Sequence, residues 1–377
     1  MKTGFSEPGL VFIPSPMKNI SYILLFLSSF LFLSCIQAEL PNAEADILSC
    51  SVDPDILRKD PIIQNDRIQI LVKSSTDLTQ QAPVFTLTPG AAIFPASGTV
   101  LNFTKPQTYT VTSEDHQSQK KYEVSYVIST IGSKFSFEQV RLENGKFDVF
   151  FETDQNNHNI MDWASGNLGF ALTGASSTPE GYPTARWAEG KVGQAAKLTT
   201  QSTGSLGAIM GKPMAAGNLF MGEFDLSASI SDPLKSLHLG VPVDLVPKGV
   251  KGFFKYKAGP VYKQGGVVQP NKKDTWDIYG VFFETDSNLK YLDGTNKFTH
   301  PNIVSIAKVT PAQRIETSEW TSFYIPFDIV NNKTIDPQKL KDGKYNLTLV
   351  FTSSIDGDTF AGAEGSTLLI DEIEITH

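Results

Sequence analysis

Apolar and polar positions alternate with a period of two through residues 46–130. Ile68, Ile70 and Val72 interleave with Arg67, Gln69 and Lys73, Phe85 and Leu87 with Thr86 and Thr88, and Tyr122, Val124 and Tyr126 with Glu123 and Ser125. Such alternation puts each apolar set on one face of a strand, and Pro89-Gly90, Ser97-Gly98 and Glu114-Asp115-His116 supply turns between strands. Short strands at this spacing predict a small antiparallel sandwich. After a joint at Thr130-Ile131-Gly132-Ser133 the pattern returns over residues 134–377. Leu237, Leu239, Val241, Val243 and Leu245 are predicted to line one face, Phe323, Ile325 and Phe327 another, and Tyr345, Leu347, Leu349 and Phe351 a third. No stretch repeats apolar residues at i, i+3, i+4 and i+7 over three turns, so helix is minor. Many strands joined by long Gly-, Pro- and Asn-rich loops predict an all-β chain whose larger unit is a jelly-roll β-sandwich.

The amino terminus breaks the pattern. Met17-Lys18-Asn19 is followed by an uncharged apolar run over residues 20–33 that closes on Phe32-Leu33-Ser34-Cys35. A basic residue, an apolar stretch and a small residue in that order make a secretory signal, and the run is short of the roughly 20 residues that cross a bilayer. Cysteine directly after the small residue resembles the bacterial lipobox, which implies that Cys35 is lipidated. Residues 1–16 fit no part of a signal, so Met17 is expected as the true start, residues 36–45 as a tether, 46–130 as the first unit and 134–377 as the second. The expected location is the outer membrane or cell surface, held by lipid.

Composition narrows the partners. Of 377 residues, 32 are Lys or Arg and 40 are Asp or Glu, a formal charge of -8. A duplex-binding protein needs a basic face to neutralise phosphates, so no nucleic-acid partner is expected. Two cysteines build neither a disulfide scaffold nor a four-cysteine zinc site. Sequences of the HExxH, GxSxG, GxGxxG and CxxC kinds do not occur, and the five histidines are scattered without metal-ligand spacing.

Two resemblances bear on function. Gln107-Thr108-Tyr109-Thr110-Val111-Thr112-Ser113-Glu114-Asp115, followed by Lys121-Tyr122-Glu123-Val124, resembles the closing hairpin of bacterial immunoglobulin-like modules, which act mostly as spacers. Further on, Ala196-Lys197-Leu198-Thr199-Thr200, Leu239-Gly240-Val241-Pro242, Lys251-Gly252-Phe253-Phe254-Lys255-Tyr256-Lys257-Ala258-Gly259, Tyr291-Leu292-Asp293-Gly294-Thr295-Asn296 and Ser318-Glu319-Trp320-Thr321 resemble the "putative carbohydrate metabolism domain" of Bacteroidetes lipoproteins. That resemblance covers nearly all of residues 134–377 and implies a jelly roll similar to carbohydrate-binding modules, with a polysaccharide and outer-membrane glycan-uptake proteins as partners. It brings no catalytic residues with it.

Sugar recognition needs flat aromatic faces and hydrogen-bonding groups beside them. Trp163, with Asp162 and Asn167, and Trp187, with Tyr182 and Arg186, fall in loop-like stretches where binding residues collect. Trp320 and Tyr324 lie on the opposite parity from Phe323, Ile325 and Phe327 and are expected to face outward. Trp276 shares parity with Ile278 and Phe282 and is expected in the core. These eight residues, Asp162, Trp163, Asn167, Tyr182, Arg186, Trp187, Trp320 and Tyr324, are the binding candidates, against packing in the core as the alternative. Asp371 shares the apolar parity of the last strand, and Glu138 that of the first. A buried carboxylate needs a cation or several donors, and the fold's relatives commonly hold calcium there, so Glu138 and Asp371 are candidates for a structural Ca2+ site. Non-catalytic carbohydrate binding is the leading expectation. A glycoside hydrolase or lyase using two of Asp162, Glu180, Glu189 and Asp277 is the alternative, and a structural or adhesive surface protein is the third.

Overall fold

The computed structural model describes residues 41–377 apart from 59, 74, 129, 130, 155, 156 and 158. The signal segment, Met17 and Cys35 lie outside the described residues. In the first unit the alternating stretches become a five-stranded sheet in the order Ile62–Gln64, Arg67–Val72, Gln119–Ile128, Gln107–Thr112, Ala92–Phe94, with Ile47–Ser51 and Val84–Leu87 forming a separate pair. Ile68, Ile70, Phe85, Tyr109, Val111, Tyr122 and Val124 share one core. The Tyr122 hydroxyl accepts from the Ile47 N–H at 3.1 Å and donates to Asp46 at 2.9 Å, tying the first strand to the sheet. One feature departs from the antiparallel expectation: Arg67–Val72 and Gln119–Ile128 run parallel, with Ile68 opposite Val124. Parallel neighbours require a long crossover, which residues 73–118 supply, and alternation carries no information about strand direction.

The second unit is a sandwich of two sheets. The larger has ten strands, with a main path Asp328–Ile329, Ile303–Lys308, Asp277–Glu284, Tyr345–Thr352, Asn218–Phe224, Asn159–Ala164, Phe147–Thr153, Val140–Glu143. The smaller has six, with a main path Thr184–Trp187, Ala195–Thr199, Thr367–Thr376, Gly249–Lys257, Thr317–Pro326. Phe282, Tyr345, Leu347, Leu349 and Phe351 meet Phe254, Ile370 and Ile373 in the core between them, and Trp276 joins them as parity predicts. Each such fully buried side chain contributes roughly 1.5–3 kcal/mol.

The predicted strand from Leu237 to Leu245 is broken. Gly240 sits at φ 118, a conformation that favours glycine. Leu237–Leu239 therefore pairs with Asn218–Phe224, whereas Val241–Pro242 pairs with Tyr345–Thr352. Among the described residues helix is confined to short segments, such as Asn167–Ala171, Gly204–Ile209 and Leu226–Ser231. Among the described residues no helix is long and apolar enough to cross a membrane. Ile131, in the joint, is buried in the core of the second unit.

Candidate functional site

Along Asp277–Glu284 alternate side chains point to opposite faces of the larger sheet. Ile278 and Phe282 enter the core between the sheets, and Tyr279, Val281 and Phe283 turn the other way with Phe220 and Val350. Leu239, Leu289 and Leu292 cover the middle of this second face. Beside that cover, the helices Asn167–Ala171, Gly204–Ile209 and Leu226–Ser231 and the loop 355–360 enclose a cavity of about 510 Å³. That volume falls in the range of small-molecule sites. Phe220, Phe224, Tyr279, Phe298 and Phe360 supply aromatic surface, and Asp277, Lys297, Lys308, Asp356 and Asp358 supply charge.

Four of these five charges sit in ion pairs, and Lys308 rests on a ring. Arg314 lies 2.7 Å from Asp277, both largely buried. Burial pushes the Asp277 carboxyl up, the guanidinium draws it back, and the net displacement is upward. Lys297 sits 3.1 Å from Asp358 and 5.7 Å from the ring centroids of both Tyr279 and Phe298, while Lys308 lies 4.4 Å above Phe298. Burial also raises the Asp356 carboxyl, but Lys272 at 2.8 Å and the Tyr262 hydroxyl at 2.6 Å outweigh it and hold the group below its ordinary value.

Local chemistry fixes these walls. Asp225 caps Leu226–Ser231 by accepting from the Ser227 and Ala228 N–H groups, and Lys212 donates to the Ser229 carbonyl at 2.6 Å at its other end. Beneath the loop, one oxygen of buried Asp274 accepts from Ser354 at 2.6 Å, Ser366 at 2.7 Å and the Ala363 N–H at 2.7 Å. The result is a rigid hollow with apolar walls and a few fixed charges. This suits a ligand with an apolar face and polar edges, the chemistry of a pyranose ring.

Residues 136–376 match the family described as "Putative carbohydrate metabolism domain". The chain belongs to this carbohydrate metabolism domain family. Residues 47–125 match a second family, described as "SGBP, N-terminal". A solved Bacteroides thetaiotaomicron protein described as a "putative glycoside hydrolase" is 47% identical, covering 90% of this chain and 99% of that one with a TM-score of 0.72. A Bacteroides vulgatus protein described in the same words is 42% identical, covering 66% and 99% of the two chains with a TM-score of 0.62. No curated protein matches the chain.

Within the carbohydrate metabolism domain the eight binding candidates do not converge. Trp163 is in a strand, not a loop: it pairs with Met221, is 2% exposed and donates its indole N–H to Glu152 at 2.8 Å. Tyr182 is buried against Phe147 and Phe170. Asn167 is fully buried, donating to the Thr184 carbonyl at 2.7 Å and accepting from the Thr184 N–H at 3.0 Å. Asp162 accepts from Arg141 at 2.7 and 2.8 Å beside a second, more polar hollow on the same sheet face. Arg186 donates to buried Asp148 at 2.6 Å. These five hold the scaffold together. Trp187, Trp320 and Tyr324 lie on the outer face of the smaller sheet, the first half-open and Tyr324 exposed as parity predicts.

The calcium candidates do not fit an ion. Asp371 accepts from the Lys191, Val192 and Glu372 N–H groups at 2.6, 3.0 and 2.8 Å, and Glu138 accepts from the Gln194 N–H at 3.0 Å. The two carboxylates grip one loop at residues 191–194. Calcium needs six to eight oxygens, whereas the groups gathered around Asp371 are N–H donors. Among the described residues no group of three or more His, Cys, Asp or Glu is placed to hold a metal.

Spacing did not single out Lys297, Phe298, Lys308, Asp356, Asp358 or Phe360. Asp277, one of the four acids of the hydrolase alternative, is buried and paired with Arg314.

Proposed function

We propose that the carbohydrate metabolism domain binds a carbohydrate, without cleaving it, in the cavity on the outer face of the ten-stranded sheet. The observation that carries this reading is the combination of aromatic walls at Tyr279, Phe298 and Phe360 with acids that are already paired with cations. Glycosidase chemistry needs one carboxylic acid free to give a proton and a second carboxylate to work opposite it. Here Asp277, Asp356 and Asp358 each engage a cation, and protonating any of them would weaken that pair.

Hydrolysis is the second reading. It is favoured by the upward displacement of Asp277 and by the description given to the two solved relatives. The lipobox-like segment ending at Cys35 supports placing the protein at the outer membrane or cell surface, where a polysaccharide and the uptake proteins that handle it would be its partners. Calorimetric titration against a panel of neutral oligosaccharides, with chromatography of the same mixtures, tests both readings. Heat without new sugars supports binding, new reducing ends move the assignment to hydrolysis, and no heat with no products removes both.

A further inference from the structure

The outer face of the six-stranded sheet carries a row of side chains that the cavity does not use. Register places Lys197 beside Leu369 and Leu369 beside Lys255 on adjacent strands. At one end of the row Lys197 lies 5.6 Å from the Trp187 ring, and at the other Lys255 lies 5.2 Å from the Trp320 ring. Next to them Lys191 lies 5.0 Å from the Phe253 ring. Four strand spacings separate the two indole-bearing strands, roughly 19 Å, which is the reach of an oligosaccharide and not of a single sugar.

Charge on this face is unbalanced. Among the described residues no carboxylate lies within ion-pair distance of Lys191, Lys197 or Lys255, although the chain as a whole carries -8. Two of the acids nearby are committed elsewhere. Glu374 is shared by Lys251 at 3.2 Å and Lys134 at 3.9 Å, and Asp371 is enclosed by three backbone N–H groups.

From this juxtaposition we propose that the outer face of the six-stranded sheet is a second binding surface, for a linear polysaccharide bearing carboxylate or sulfate groups. Indole faces take the apolar sides of the sugar rings, and the lysines, each a mobile point charge on a flexible stem, leave the rings to meet the anionic substituents. The surface is independent of whatever fills the cavity.

The test is electrophoresis of the full chain in native gels containing polygalacturonate, chondroitin sulfate, dextran or single-stranded DNA. Retardation by polygalacturonate or chondroitin sulfate and not by dextran is expected, and it should fade in high salt. Retardation by polygalacturonate shows that carboxylate suffices, whereas retardation by chondroitin sulfate alone, which carries both groups, identifies sulfate as the recognised one. Trp187→Ala with Trp320→Ala should weaken binding about tenfold or more. Lys197→Gln with Lys255→Gln should do the same without disturbing packing, which guards against a misfolded tryptophan variant. Phe360→Ala, in the cavity, should leave the retardation in place. The proposal is overturned if neither anionic gel retards the protein, if dextran retards it equally, if the lysine pair can be replaced without effect, or if single-stranded DNA is held more strongly than either polysaccharide.

Discussion

The two sheets of the large unit each turn one face away from their common core, and the two faces are finished in different ways. On the ten-stranded sheet, helices and loops from distant parts of the chain cover the face and leave a walled hollow whose acids are paired and partly buried. On the six-stranded sheet, among the described residues, nothing comparable covers the row from Trp187 to Trp320, whose lysines meet aromatic rings and no carboxylates. Covering a sheet creates enclosure, at the cost of a second set of buried polar groups that must be satisfied. Leaving it open keeps a flat, solvated surface where long-range charge and stacking act, and where salt screens them.

The sharpest way to break this contrast is to remove what supports the cover. Asp274→Ala strands three donors under the loop 355–363, and unfolding in urea should show a loss of about 3 kcal/mol or more. An unchanged midpoint would mean that the loop holds itself. Nearly as large is the effect expected from Glu152, in the second unit, whose carboxyl burial pushes up to about 7 from 4.5 with only the Trp163 indole to offset it. The folded state holds this proton more tightly than the unfolded chain, so the stability it confers is complete below about 4.5 and is lost as pH rises through 7, by up to about 3 kcal/mol. Glu152→Gln should flatten that slope, as thermal melts from pH 4 to pH 8 would record, without altering binding at either face.

Smaller changes separate the faces. Phe298→Ala removes a ring from the cavity and should weaken neutral-oligosaccharide binding about tenfold by calorimetry, with polyanion retardation unchanged. The least effect is expected from Trp187→Ala on stability. Its half-open indole should cost under about 1 kcal/mol in the same urea titration, in contrast to Trp163→Ala, which empties a core position and should cost about 3–5 kcal/mol.

Much of the fold was legible because a strand exposes its logic every second residue. Phe323 and Ile325 face the core and Tyr324 faces out, as alternation requires, and Trp276 follows Ile278 and Phe282 inward. The same rule applied to Trp163 would have buried it with Met161. Ser165-Gly166-Asn167 immediately after it made the whole stretch read as a loop, although the strand Asn159–Ala164 runs to within one residue of them. The cavity was not legible. Its pairs join Lys297 to Asp358 and Arg314 to Asp277 across the folded sheet, and no local spacing encodes such partners. The direction of the Gln119–Ile128 strand stayed hidden for a related reason, since a side-chain pattern reads the same from either end.

The burial of Ile131 bears on how the molecule meets its surroundings. Only residues 129 and 130 lie between the end of the strand Gln119–Ile128 and a side chain locked in the core of the second unit. Ile131 is therefore the first core side chain of the second unit that the chain reaches after the strand Gln119–Ile128, so a pull along the first unit arrives at the wall of the sandwich and not at a free end.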